Sequence, residues 1–201
     1  GYEIRGLGGY KSKAAGTDSS SSAWVAVPSG ISPDNVRSVF FCESAFDAMA
    51  FYQMNRIQIG DSAALVSLGG TFSDRQITGV MERFPNARAF DCFDNDLAGR
   101  IYGLRMRALQ EDIQMKISRT DGGIRIEAKG KVFEPDMERP LLAQVARQLN
   151  IRYHMGQWLP PKVFKDWNDC LLNRPMEPVI SPPKEEREQN LSEQRNKGRK
   201  I

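Results

Sequence analysis

The stretch "VRSVFFCESAFDAMAFYQM", residues 36–54, changes its periodicity halfway. Val36 to Cys42 is an apolar, β-branched and aromatic run of strand length, the pattern of a strand buried on both faces. From Ser44 onward, Phe46, Met49, Ala50 and Met54 fall at helical spacing. A buried strand feeding directly into a helix is the opening of a parallel α/β unit. Glu43, at the junction, then stands at the carboxyl end of the strand, where open α/β sheets bind ligands.

The same rhythm continues downstream. "AALVSL" (63–68) reads as a second strand, closed by Gly69-Gly70. "TFSDRQITGVMERF" (71–84) reads as a helix, with Ser73 and Gln76 spaced as a capping box. "ARAFDCF" (87–93) is a third strand and "LAGRIYGLRMRALQED" (97–112) a helix with an apolar stripe through Ile101, Leu104 and Ala108. "IQMKIS" (113–118) is expected as a fourth strand and "IRYHM" (151–155) as a fifth. Between them lie an inserted β-hairpin over 119–135 and a helix over 138–150. A last short helix begins in "KDWNDCLL" (165–172). The fold expected is α/β, a central, mostly parallel sheet with right-handed crossovers and flanking helices.

The ends differ from this middle. Residues 1–30 read as an N-terminal appendage, or the end of an upstream domain. "YEIRG" and "AWVAV" are short candidate strands around the Ser-rich "GTDSSSSAW". Residues 31–180 form the main domain. Residues 181–201 read as a charged, disordered tail; the last twenty residues carry six Lys/Arg and four Glu.

Composition excludes several classes. The formal charge of +3 over 201 residues is not that of a protein holding nucleic acid by charge alone. No stretch approaches the roughly 20 apolar residues of a membrane span, and the start has no secretory h-region. The three cysteines, Cys42, Cys92 and Cys170, lie far apart and fit a reducing, cytoplasmic setting. Without CxxC, and with one histidine, a zinc site is not expected. Cys42, Cys92 and Cys170 are read as packing residues. Trp158 and Trp167 are expected to pack rather than stack on bases, and His154 is not read as a ligand. Arg105 and Arg107 are expected on a solvated face.

The acids carry the chemistry. Asp94 and Asp96 follow the third strand, two positions apart in an extended segment, and so point to one side. Carboxylates this close repel unless a cation is shared, and Mg²⁺ favours such oxygens. Asp91, three positions earlier, faces the other way and is set aside as structural or surface. Asp47 lies one helical turn after Glu43. Asp166 and Asp169 sit in "KDWND". Each also has a plainer explanation: Asp94/Asp96 and Asp166 as helix caps, and Glu43 and Asp47 as acids favoured at a helix start.

Together, "FFCES" with "FDAMA" (40–50), "SLGGTFSD" (67–74), "FDNDLAGR" (93–100) and "KDWND" (165–169) resemble the Toprim domain. The resemblance covers residues 36 to about 172. It is closest to DnaG-type primase domains and those of mobile elements. It implies a Rossmann-like Toprim fold and a Mg²⁺-dependent nucleotidyl- or phosphoryl-transfer enzyme, with Mn²⁺ as an alternative metal. Glu43 would be the general acid or base, Asp94 and Asp96 would hold the metal, and Asp47, Asp166 and Asp169 would add to metal binding. Arg100 and Lys165 would meet phosphates. DNA and nucleoside triphosphates would be the partners, in replication or transfer of a mobile element.

Primases of this kind add an N-terminal zinc-binding module and a second catalytic subdomain, neither seen here, so the chain is expected to be part of a larger protein. Two alternatives stay open: phosphodiester cleavage of the nuclease or topoisomerase type, and a non-catalytic nucleic-acid-binding scaffold. Topoisomerase chemistry would need an attacking tyrosine from another domain.

Overall fold

The computed structural model describes residues 3–6 and 10–177; the tail expected over 181–201 lies outside them. Two short strands open the chain, β1 (Glu3–Arg5) and β2 (Lys11–Lys13), paired antiparallel. Then follow β3 (Trp24–Ala26), β4 (Ser38–Cys42), α1 (Ala45–Ile59), β5 (Ala63–Ser67), α2 (Asp74–Arg83), β6 (Arg88–Asp91) and α3 (Leu97–Gln110). The later elements are β7 (Met115–Thr120), β8 (Gly123–Ala128), β9 (Lys131–Phe133), α4 (Leu141–Leu149), β10 (Gly156–Gln157) and α5 (Trp167–Leu171).

The central sheet has the order β10-β6-β4-β5-β3. β10, β6, β4 and β5 run parallel, and β3 joins β5 antiparallel at the edge. The strand reading of 36–42 holds because every second side chain enters a different core. Val39 and Phe41 pack with Ile77, Val80, Phe84 and Met106 on the α2/α3 side. Phe40 and Cys42 pack with Ala48, Phe51 and Trp167 on the α1/α5 side. Fully burying one such phenylalanine contributes about 1.5–3 kcal/mol. Helix starts are fixed by caps: Ser44 for α1 and a full capping box between Ser73 and Gln76 for α2.

The chain leaves β4 through α1 to β5 on one side, then crosses back through α2 to β6 on the other. The order therefore reverses between β4 and β6. Their carboxyl ends frame the crevice where open α/β sheets take ligands. Glu43 follows β4 and Asp94 follows β6.

Three expectations are corrected. The segment 113–118 is not a fourth strand of the central sheet. β7 begins at Met115 and pairs antiparallel with β8, which pairs with β9. The expected hairpin is thus a three-stranded sheet, packed through Ile124 and Ile126 against Leu104 of α3 and Leu141, Val145 and Leu149 of α4. The segment 151–155 forms no strand. The β6 neighbour is Gly156–Gln157, and a Cβ at Gly156 would lie 2.3 Å from the Phe90 ring, so only glycine allows that approach. Arg107 is not solvated: it is 3% exposed.

Arg107 is ion-paired with Asp91, itself fully buried, and donates to the carbonyls of Gly103, Met155 and Gly156 at 3.0, 3.3 and 3.2 Å. Gln157 Nε2 adds a 3.4 Å bond to Asp91 Oδ2. Burial pushes the Asp91 carboxyl up and Arg107 pulls it back. The pair ties β6, α3 and β10 together. Trp158 and Trp167 set their rings at steep angles against Phe51, and Cys42 and Cys92 are buried. His154 is exposed, with Nδ1 3.0 Å from Glu111 Oε1.

Candidate metal centre

The crevice between β4 and β6 is floored by carboxylates. Asp47 and Asp94 are buried at 6% and 7% exposure. With half-buried Asp166 they form a group whose candidate ligand oxygens all lie within 4.8 Å of one another. Asp47 reaches it because Ser44 starts α1. Its backbone N–H donates to Ser44 Oγ (3.2 Å), the Ser44 hydroxyl donates to Asp47 Oδ2 (2.5 Å), and Asn168 N–H donates to Asp47 Oδ1 (3.3 Å). That last bond joins α1 to α5 across 121 residues of sequence.

Asp94 reaches the group because the loop after β6 is tied to the late chain. Asn95 N–H donates to the Lys165 carbonyl at 2.7 Å. Asn95 Nδ2 donates to the carbonyls of Pro160 (3.0 Å) and Phe164 (2.8 Å). The residue between the two acids of "DND" thus brings "KDWND" to the sheet edge.

Asp96 and Asp166 each use one oxygen as a helix cap. Asp96 Oδ1 accepts from Gly99 N–H at 3.0 Å and Asp166 Oδ1 from Asp169 N–H at 2.7 Å. The second oxygen of Asp96 lies 3.5 Å from Lys165 Nζ, which also lies 3.4 Å from Asp94 Oδ2. The capping explanation therefore holds for Asp96 and Asp166 without removing either from the crevice.

Burial, with crowding added to it, sets the protonation states. Burial pushes the Asp94 carboxyl up to about 8, and the fields of Glu43, Asp47 and Asp166 add to it against Lys165. Burial likewise raises Glu43 to about 7, helped by Asp96 and Asp47 and opposed by the Asp94 backbone N–H and Lys165. Glu43 Oε1 is buried with no hydrogen-bond partner. For Lys165 burial works to lower the ammonium, but Asp94, Asp96 and Asp166 together outweigh it and raise its pKa.

These donors fit a hard divalent cation. Every group is a carboxylate oxygen, with no imidazole or thiolate among them, as suits Mg²⁺ or Mn²⁺ and not zinc. The orphaned Glu43 oxygen and the raised Asp94 mark a deficit of positive charge that a cation would relieve.

Two expected residues are placed elsewhere. Arg100 donates from its guanidinium to the Met137 and Arg139 carbonyls at 3.1 and 3.0 Å, bridging α3 to the segment before α4. Asp169 lies outside the three-carboxylate group. Conversely, Lys13 was missed. It comes from β2, in the part read as an appendage, and lines the same cavity of about 250 Å³ as Glu43, Asp47, Asp94, Lys165 and Asp166. Its stem lies against Gly69, where a Cβ would sit 2.8 Å from Lys13 Cε. Gly69 and Gly70 both have positive φ (71° and 100°). The "GG" after β5 thus turns the chain in a way other residues resist and leaves room for this lysine. No sequence signal places Lys13 here, since "KSK" is an ordinary polar strand.

No curated protein and no solved structure shows a significant match to the chain. A family model described as Toprim-like matches residues 40–123, from Phe40 of β4 to the first residue of β8. The matched stretch holds Glu43, Asp47, Asp94 and Asp96, and Lys165 and Asp166 are brought to it from beyond.

Proposed function

We propose that this chain houses the Mg²⁺-dependent phosphoryl-transfer centre of a primase-like protein, with Mn²⁺ as a substitute metal. The observation that carries it is the grouping of Asp47, Asp94 and Asp166 beside the unpartnered oxygen of Glu43. Asp47, Asp94 and Asp166 would hold the cation, with Asp96 beside them. When bound, the cation supplies charge neutralisation at a phosphoryl oxygen.

The chain's own groups do the rest. Glu43, with a pKa of about 7, is poised to take or return the proton of an attacking hydroxyl near neutral pH. Lys165 sits between Asp94 and Asp96 and can turn its ammonium to an entering phosphate. Lys13 faces the same cavity from the opposite end of the sequence. The capped starts of α1, α3 and α5 hold Asp47, Asp96 and Asp166 at fixed positions.

DNA and nucleoside triphosphates are the substrates that suit this centre, and primer synthesis in the replication or transfer of a mobile element is the setting we favour. Calorimetric titration of Mg²⁺ and Mn²⁺ into the chain tests the core of this. Binding is expected, and Asp94→Asn is expected to abolish it. Equal binding by both proteins would sink the assignment. Labelled-nucleotide incorporation on a single-stranded template, run beside a DNA-cleavage assay, then separates synthesis from phosphodiester hydrolysis.

A further inference from the structure

A second cavity adjoins the metal centre and differs from it in character. It measures about 230 Å³, and its lining is mostly apolar. Trp24 of β3 and Phe46 of α1 line it, exposed at 38% and 44%. Ser67, at the end of β5, lines it with a hydroxyl that donates to Glu3 Oε1 at 2.6 Å. Glu3, Lys13 and Gly69 line both cavities, so the two are neighbours with a shared wall.

Each cavity alone is below the roughly 300–1,000 Å³ of a small-molecule pocket, and the two together reach it. A ligand filling both would be apolar and planar at one end and anionic at the other. The apolar end offers aromatic rings with hydroxyl and carboxylate acceptors beside them. The anionic end meets Lys13, Lys165 and the carboxylates that would hold a cation.

We infer that the Trp24–Phe46 cleft receives the base of a nucleotide whose phosphates lie at the Asp47/Asp94/Asp166 centre, with Lys13 at the junction. This rests on the phosphoryl-transfer reading and deepens it. The N-terminal segment becomes part of the substrate site. The paired strands β1 and β2 bring Glu3 and Lys13 over Gly69, and β3 brings Trp24 to the sheet edge beside Ser67. Stacking on an aromatic side chain accepts any base, since each has a π-face. The cleft therefore predicts nucleotide affinity with weak base preference.

The test is calorimetry on the full chain with three probes: Mg²⁺ alone, ATP with Mg²⁺, and inorganic tripolyphosphate with Mg²⁺. Trp24→Ala and Phe46→Ala are each expected to weaken ATP binding by roughly 5- to 150-fold, the range of one lost stack. Both should leave Mg²⁺ and tripolyphosphate binding unchanged, which also shows that the variants fold. Trp24→Phe should restore most of the ATP affinity. Lys13→Ala should weaken ATP and tripolyphosphate alike. Unchanged ATP affinity in both alanine variants overturns the cleft, as does equal weakening of ATP and tripolyphosphate. A single-stranded oligodeoxynucleotide identifies the source of the base: weakening confined to it overturns the free nucleotide as occupant. Loss of Mg²⁺ binding in the unmodified chain instead counts against the metal centre, a separate failure read by a separate probe.

Discussion

Asp91 and Asp94 are three residues apart, both buried at the end of β6, and the fold treats them in opposite ways. Asp91 receives a dedicated guanidinium from Arg107, which also satisfies three carbonyls around it. Asp94 receives half-exposed Lys165, shared with Asp96, and is pressed on by Glu43, Asp47 and Asp166. The first acid is compensated from within the chain, so it can be structural. The second is left short of positive charge, a shortage that a bound cation would relieve. Burial alone does not separate a structural carboxylate from a functional one; the source of its counter-charge does.

Three experiments break or sharpen this contrast. The largest effect is expected from Glu43→Gln, which keeps the shape of the side chain and removes its proton exchange. If the chain carries the phosphoryl-transfer activity proposed above, that activity should fall by about 10²- to 10⁴-fold, with little change in Mg²⁺ affinity. Retained activity would mean that Glu43 carries no proton.

Next is Arg107→Met, which keeps the bulk and strands Asp91 as an uncompensated buried charge. A loss of about 3–5 kcal/mol in denaturant unfolding is expected, because breaking one side of a buried pair exposes the full desolvation cost of the other. The double variant Arg107→Met/Asp91→Leu should recover much of that loss. Failure to recover would show that the carbonyl contacts of Arg107, not its charge, hold β6, α3 and β10.

The third effect is the reverse in sign. Asp94 titrates near 3.8 when exposed and near 8 in the folded, metal-free protein. A carboxyl with a raised folded value contributes its stability at low pH and loses it as pH rises through the folded value. Asp94→Asn removes that loss. At pH 8 to 9, without metal, the variant should melt at a higher temperature than the parent, and the gap should close as the pH falls. Below pH 4 the two should coincide. Equal melting at pH 9 would show that the crowding of carboxylates costs the fold nothing.

The sequence made the central sheet readable for a definite reason. β4 and β5 are apolar on both faces, so their residues admit no other placement. β7 failed on the same criterion. Met115 and Ile117 alternate with Lys116, and Ser118 precedes Arg119, a pattern that suits a strand with one wet face, as in an antiparallel sheet. β10 escaped notice because two residues joined by backbone bonds leave no periodicity. Glu43 and Asp94 were visible because they stand where strands end. Arg107 was not, because an arginine on a helix looks solvated until its partner, sixteen residues earlier, is seen to be buried. Lys13 was invisible for a similar reason: only the fold of the first strands over Gly69 brings it near.

The tie between Asn95 and the Pro160–Lys165 segment has a consequence in time. A ribosome adding roughly 5–20 residues per second needs about 3–14 s to pass from Asp96 to Lys165. By the end of that interval β4, β5, β6 and α1 to α3 have been made, and Glu43, Asp47 and Asp94 can gather before Lys165 or the α5 cap exists. The nascent domain thus meets its most crowded carboxylates before it has made the residues that steady them.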